Sequence, residues 1–562
     1  MVSVLGAAIL STSAVFSPAY AGDEGDKVTF KVDAAGKREP MNPIWAYVGY
    51  DEPNYTYMKD GVKLLDELSA LSCTPVYVRT HNLLCTGDGT AALKWGSTNA
   101  YTEDENGNPV YDWTIVDIIM DTYVERGMKP IVEISFMPKA LSTNPEPYQH
   151  HWTPQASYNE IYTGWTYPPS DYDKWRDLVY NWVKHSVERY GEEEVLTWWW
   201  EVWNEPDIGY WSGTHEEYCK LYDYAADGLK KALPKARIGG PETTDPSGRN
   251  ANEYLRKFLD HCANGTNYAT GKKGSPLDFI TFHAKGSPRV VDGHVRMNLG
   301  RQLTNISRGF ETVASYPQFK KLPIIIGESD PEGCAACSVN YNPQNAYRNG
   351  TMYSSYTAAA YARTYELVKK FGVNLAGAVS WAFEFEDQQW FAGFRDLATN
   401  GVDKPVLNTL RMFGQMRGDF IPVEASRKIS LEDIVGKSVR EEADINALAS
   451  ASESGIYVIV WNYHDDDVQV EPADVELFIE NIGKERVYVT HYRIDESHSN
   501  SYEVWKGMGS PQQPTAEQYR ELEKSGQLQE LAPGYWTSTE NGGLNMKFTL
   551  PRQGSSLIKL TW

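Results

Sequence analysis

From residue 44 onward, short runs rich in β-branched and aromatic residues alternate with stretches of helical period, the pattern of parallel β/α units. Eight strand candidates stand out, at 44–48, 76–79, 131–134, 198–203, 237–239, 279–283, 324–327 and 378–381. Amphipathic helices fill the gaps, most clearly over 57–71, 172–190, 217–233 and 353–371. In 172–190 the residues Trp175, Leu178, Val179, Trp182 and Val183 fall on one face. Eight such units predict an α/β fold, a closed (β/α)8 TIM barrel, over residues 40–425. After 425 the period becomes that of strands, at 455–461, 475–479, 485–492 and 556–562, which predicts a C-terminal β-sandwich accessory domain over 426–562. Residues 27–33 alternate in the same way, so the N-terminal segment 22–39 is a candidate strand of that sandwich.

Residues 2–16 are mostly apolar and Ala19-Tyr20-Ala21 follows with small-x-small spacing, so residues 1–21 are expected to be a signal peptide. Export to the periplasm or the medium is the corresponding expectation. No Lys or Arg precedes the apolar run, which points to a start internal to a longer signal. No later segment approaches about 18 uninterrupted apolar residues, so no membrane insertion is expected.

The length of 562 residues suits a large barrel plus one smaller domain. The 18 Trp and 36 Tyr are a heavy aromatic load, serving either sugar stacking or core packing. A formal net charge of −22 disfavours nucleic acid and anionic lipid as partners. A uronic-acid substrate stays open, because one Lys or Arg at a pocket offsets the global field locally. Of the six Cys, Cys334 and Cys337 have zinc or redox spacing. A structural zinc needs a second pair nearby, whereas a loop disulfide or two free thiols need nothing more. Neither metal nor cofactor is expected.

Catalytic groups of a (β/α)8 barrel sit at the C-terminal ends of its strands. The fourth strand runs into Asn204-Glu205-Pro206-Asp207 and the seventh into Glu328-Ser329-Asp330, which sets two carboxyl groups on one rim. Strands four and seven are read as facing each other across the ring. Inward glutamates there can approach about 5–5.5 Å, the separation for a retaining double displacement. Glu328 is then the nucleophile and Glu205 the acid/base, with Asn204 available to a sugar 2-hydroxyl. Each glutamate alone is more often a salt-bridged rim carboxylate; the pair on two strand ends carries the reading.

Trp203-Asn204-Glu205-Pro206-Asp207 resembles the acid/base motif of glycoside hydrolase clan A. With Val78-Arg79-Thr80-His81, the run from Leu277 to His283, Gly327-Glu328-Ser329 and Trp381-Ala382-Phe383, residues 40–425 are most similar to family 39, the β-xylosidase and α-L-iduronidase family. The resemblance implies Glu205 as proton donor, Glu328 as nucleophile, and His81, Asn204, His283 and Trp381 around the terminal sugar. The eighth-strand loop of the family supplies a carboxylate pair for distal hydroxyls. Phe385-Glu386-Asp387 looks like a shortened form of it, with Glu386 as the contact. Lys285 could meet a substrate carboxylate, although a solvated lysine is the commoner outcome. Tyr167, Trp165 and Trp211 suit sugar stacking or core packing equally. The resulting expectation is an exo-acting, retaining β-xylosidase-like hydrolase whose partner is an oligosaccharide. The alternatives are an α-L-iduronidase-like or arabinose- or galactose-releasing enzyme, and a non-catalytic carbohydrate-binding protein.

Overall fold

The computed structural model describes residues 27–562. The signal segment assigned to 1–21 lies outside the described residues, as does the start of the 22–39 segment. Parallel strands Tyr47–Tyr50, Tyr77–Thr80, Lys129–Ile134, Trp199–Val202, Arg237–Thr243, Phe279–Lys285 and Pro323–Asp330 follow one another around a ring. These are strands one to seven. The eighth is split at Val379: Asn374–Ala378 pairs with strand seven, and Ser380–Trp381 pairs with strand one and closes the barrel. Each strand overlaps a run picked out by its apolar pattern. Strands five and six separate strand four from strand seven, so the two lie across the ring without being diametrically opposed.

Closure depends on one residue without a side chain. Gly49 of strand one is in register with Trp381, and a Cβ at that position would overlap the Trp381 ring. Only glycine lets this indole lie over strand one, and so over the barrel mouth.

The helices follow their caps. Tyr172–Tyr190 starts where Asp171 accepts the amides of Asp173 and Lys174, and it buries Trp175, Leu178, Val179, Trp182 and Val183. His215–Ala232 begins two residues before its apolar pattern, because Thr214 and Glu217 form a reciprocal capping box.

Two sheets form the C-terminal part. In the smaller, Lys27–Asp33 lies between Val423–Ala425 and Ala473–Glu480, and Leu544–Leu550 completes it. The larger orders Asp419–Ile421, Asp444–Ser452, Gly455–Tyr463, Ser555–Thr561, Arg486–Ile494 and Gln529–Ser538. Val28, Phe30, Val32, Val475 and Leu477 meet Val458, Val460, Val487 and Ile558 in a core between the sheets. The opposite face of Gly455–Tyr463 presents Tyr457, Ile459 and Trp461 to the barrel core. That strand is therefore buried on both faces, and its unbroken apolar run follows from it. Helices Leu431–Lys437, Ser501–Gly507 and Ala516–Gly526 interrupt what reads as an all-β region. Trp505 and Leu522 of the latter two pack on Trp390, Phe391 and Val402 of the barrel.

A buried ion pair crosses between the parts. Arg363, on helix Thr351–Phe371, bonds Asp444, which also accepts the Trp461 indole N–H at 3.1 Å. Asp444→Ala leaves a buried guanidinium with no charge partner in the sandwich and should cost about 3–5 kcal/mol. A lowered urea midpoint reads this, and adding Arg363→Met should restore part of it. An unchanged midpoint for Asp444→Ala would refute the pairing.

Candidate active site

The chain leaves strand four through Trp203 and Glu205, both in the left-handed region at φ 72° and 42°, and Glu242 at the end of strand five has φ 55°. Such residues cost about 1–3 kcal/mol each and persist only where their surroundings hold them. The Trp203 indole donates to the Tyr210 carbonyl at 3.0 Å, and the Glu205 amide donates to the Glu242 carbonyl at 2.9 Å. These bonds turn the end of strand four toward strand five and set Glu205 on the rim. Glu205 and Glu328 then line one cleft of about 470 Å³, with Asp51, Lys94, Tyr158, Tyr162, Tyr210 and Lys285 among its walls.

His283, at the end of strand six, joins the two glutamates. Its Nδ1 lies 2.8 Å from Glu205 Oε1, and its Nε2 lies 2.7 Å from Glu242 and 3.7 Å from Glu328. Gly327 makes room for this arrangement, since a Cβ there would overlap the Glu242 carboxylate.

Glu328 stands among cations. Lys285 Nζ is 2.5 Å from Oε2, while His81 Nε2 at 3.4 Å and Arg79 Nη1 at 3.7 Å face Oε1. Burial alone would push its carboxyl up, but His283, Lys285 and His81 outweigh burial and hold it well below the usual carboxylate range. The histidines are shifted in return. Burial pulls His283 down, yet Glu328 and Glu242 carry it up to about 10, and against the same burial Glu133 carries His81 up to about 9. Both rings are imidazolium at neutral pH. Glu242 is opposed by burial but drops to about 2 beside Arg79 and His283.

The structure gathers most of the residues singled out by sequence. His81 bonds Glu133 at 2.6 Å and stacks obliquely on Trp381 at 4.5 Å. Asn204 is buried and its Oδ1 accepts from Arg79 at 3.1 Å, which leaves the amide NH2 as its remaining donor. Trp381 donates its indole N–H to Asp51 at 2.9 Å.

Two expectations change. Glu386 does not line the cleft: its carboxylate accepts the Asp60 amide at 2.9 Å and caps helix Lys59–Ser69, whose N-cap Met58 has no side chain to do so. Lys285 is not a solvated lysine; it is buried between Glu328 and Asp330, the latter 3.1 Å away. Trp165 and Trp211 are buried in aromatic packing against Phe136 and Trp203, while Tyr167 is half-buried. Cys334 and Cys337 form a disulfide at the cleft rim.

Asp51, His81 and Glu328 offer ligand atoms within 4.8 Å of one another. Lys94 and Lys285 already pair with these two carboxylates.

Asp51, Glu242 and Lys94 are among the side chains of the site that escaped the sequence reading. Asp51 and Glu242 stand at the ends of strands one and five, where the rim rule that picked out Glu205 and Glu328 would have found them. Lys94 lies deep in the loop after strand two, and nothing in its neighbourhood of sequence marks it.

The family model for glycosyl hydrolases family 39 matches residues 28–541. A β-xylosidase of Caldicellulosiruptor saccharolyticus is 27% identical over 442 residues, which span 76% of this chain and 78% of its own. An α-L-iduronidase of Mus musculus is 24% identical over 533 residues, 88% of this chain and 74% of its own. A monomeric β-xylosidase of Caulobacter crescentus CB15 shares the fold with a TM-score of 0.72 at 21% identity, covering 95% of this chain and 99% of its own. A closed barrel bearing the motif residues on its rim, under a family match that runs over most of the chain, assigns this chain to glycosyl hydrolases family 39.

Proposed function

We propose that this glycosidase acts by double displacement with retention, releasing one terminal sugar at a time, and that the sugar is β-linked xylose. The observation that carries the mechanism is the shared cleft in which Glu328 is held ionised by His283, Lys285 and His81 while Glu205 is bonded through one oxygen to His283. In the first step Glu328 attacks the anomeric carbon and Glu205 gives its proton to the departing oxygen. Imidazolium His283 donates to Glu205 Oε1, so the proton in play belongs on Oε2. In the second step Glu205 takes a proton from water, which displaces Glu328 from the sugar.

Terminal action is supported by the inner end of the cleft. Beyond Asp51 and Lys94 the space shrinks to about 10 Å³ behind walls of His81, Phe136, His150, Trp165 and Tyr210, which leaves no channel for a continuing chain. The xylose assignment draws on the likeness to β-xylosidases. One observation favours a second reading: Lys285 borders the cleft and offers a cation to a uronate carboxylate, as an α-L-iduronidase-like enzyme would require. Its ammonium is already engaged by Glu328 and Asp330, so the xyloside reading stands first. Export is part of the same proposal, supported by the Ala19-Tyr20-Ala21 pattern and by a disulfide at the cleft rim.

A panel of aryl β-xyloside, α-L-arabinoside, β-galactoside, β-glucoside and α-L-iduronide tests both mechanism and sugar. Glu205→Ala should lose about 10²–10⁴-fold in rate on a poor leaving group and regain turnover with azide, giving a glycosyl azide of retained configuration. Glu328→Ala should yield no retained product. Wild-type rates in both variants would refute the pair.

The pH profile offers a separate check. The cations around Glu328 keep it ionised into the acid range, and removing one raises its carboxyl and protonates more of it at a given acidic pH. Lys285→Met should therefore shift the acid limb of kcat/KM to higher pH, with a greater fractional loss at about pH 5 than at about pH 7. An acid limb that does not move would show that Lys285 leaves the nucleophile untouched.

A further inference from the structure

We propose that Asp51 and Lys94 form the hydroxyl clamp that recognises the sugar ring seated against Glu328, a task that Glu386, capping a helix, does not perform. The inference deepens the glycosidase reading above and rests on it.

Asp51 follows strand one directly, and Lys94 reaches it from the loop after strand two. Both line the main cleft with Glu205 and Glu328, and both line its narrow inner end with His81 and Trp165. No other cleft residue except Tyr210 is shared by the two spaces. An Asp51 carboxylate oxygen lies within 4.8 Å of a Glu328 carboxylate oxygen, so a ring whose anomeric carbon meets Glu328 carries its further hydroxyls to Asp51.

The hydrogen-bond inventory of the pair is incomplete. An ammonium has three donors. Among the described residues the Lys94 Nζ has Asp51 as its one hydrogen-bond acceptor, although its side chain is only 5% exposed. Buried donors of a charged group cost free energy unless a partner meets them, and adjacent sugar hydroxyls are such partners. Asp51 accepts from the Trp381 indole at 2.9 Å and from Lys94, with His81 Nε2 at 3.4 Å. A carboxylate offers roughly four lone-pair sites, so room remains for a hydroxyl donor. The chemistry fits a diol: Lys94 donates to one oxygen, and a hydroxyl hydrogen is given to Asp51.

The clamp is rigidly based. The Lys94 amide donates to Glu52 at 2.6 Å and its carbonyl accepts from His150 at 2.7 Å, which fixes the backbone from which the side chain extends. Trp381 orients Asp51 and is itself seated over Gly49. Charge and position are thus set before a sugar arrives, as selective hydrogen bonding requires.

The test compares 4-nitrophenyl β-D-xyloside with its 3-deoxy and 4-deoxy analogues in wild type, Lys94→Met and Asp51→Asn. If a different aryl glycoside of the panel is cleaved faster, its corresponding deoxy forms replace these. Wild type should prefer the parent over at least one deoxy analogue by about 10²-fold or more in kcat/KM. Both variants should lose most of that preference, because the parent slows far more than the deoxy substrate does. Residues that merely tuned Glu328 would slow parent and deoxy substrates alike, and a preserved preference would overturn the clamp. Lys94→Gln supplies the same comparison if Lys94→Met does not fold. A wild type that cleaves no glycoside, with no azide-rescued product from Glu205→Ala, overturns the glycosidase reading and the clamp together. An active wild type with unchanged preference in the variants overturns the clamp alone.

Discussion

Arg79 lies fully buried at the centre of the barrel mouth, 2.6 Å from Glu133 and 2.6 Å from Glu201, with Glu242 at 3.9 Å, Glu328 at 3.7 Å and the Trp381 ring at 4.9 Å. A guanidinium removed from water needs compensating charge, and carboxylates gathered in the same dry space need a cation. Each supplies what the other lacks. Burial and the neighbouring Glu242 push the Glu201 carboxyl well up despite Arg79, which favours its neutral form and limits the negative charge gathered there. The outer cations, His81, His283 and Lys285, extend the same balance to Glu328. Removing a charged member leaves its partner uncompensated in a dry space, so the proposed chemistry and the stability of the barrel mouth are bound together.

Much of the remaining architecture holds that cluster in place. Gly49 and Gly327 give up their side chains so that Trp381 and Glu242 can occupy the space. The sandwich covers the barrel with a strand apolar on both faces, and its inserted helices pack Trp505 and Leu522 on the loop after strand eight. Arg348 bonds the carbonyls of Cys334, Cys337 and Gly393, which ties the disulfide loop at the rim to that same loop. Sheets, glycines and buried arginine thus converge on one end of one barrel.

Two glutamates of identical chemistry are given opposite surroundings by this scaffold. Glu328 is nearly enclosed and faces four cations, whereas the Glu205 side chain is 17% exposed and, among the described residues, has His283 as its one ionic neighbour within 4 Å. An anion fixed in place suits attack on carbon, and a partly open carboxyl suits exchange of protons with a leaving group and with water. The difference is one of neighbours, since both residues end a barrel strand.

Local pattern was enough for the eight strands, the long helices and the placing of Glu205 and Glu328, because strand period and strand ends are properties of adjacent residues. Asn204 and Glu205 stand within one short motif for the same reason. The sequence by itself did not determine where Glu386 would go: an uncapped helix N-terminus behind Met58 captured it, a contact between residues 326 positions apart. Nor did it mark Lys94 as the partner of Asp51, 43 positions away, or Lys285 as the neighbour of Glu328, also 43 positions away. The helices at 501–507 and 516–526 were hidden within a region of strand period, since their apolar residues answer to Trp390 and Phe391 on the barrel. Periodicity is written along the chain, but the partner of a buried charge or of a helix end is chosen by proximity in space, and only the folded barrel decides which charges meet.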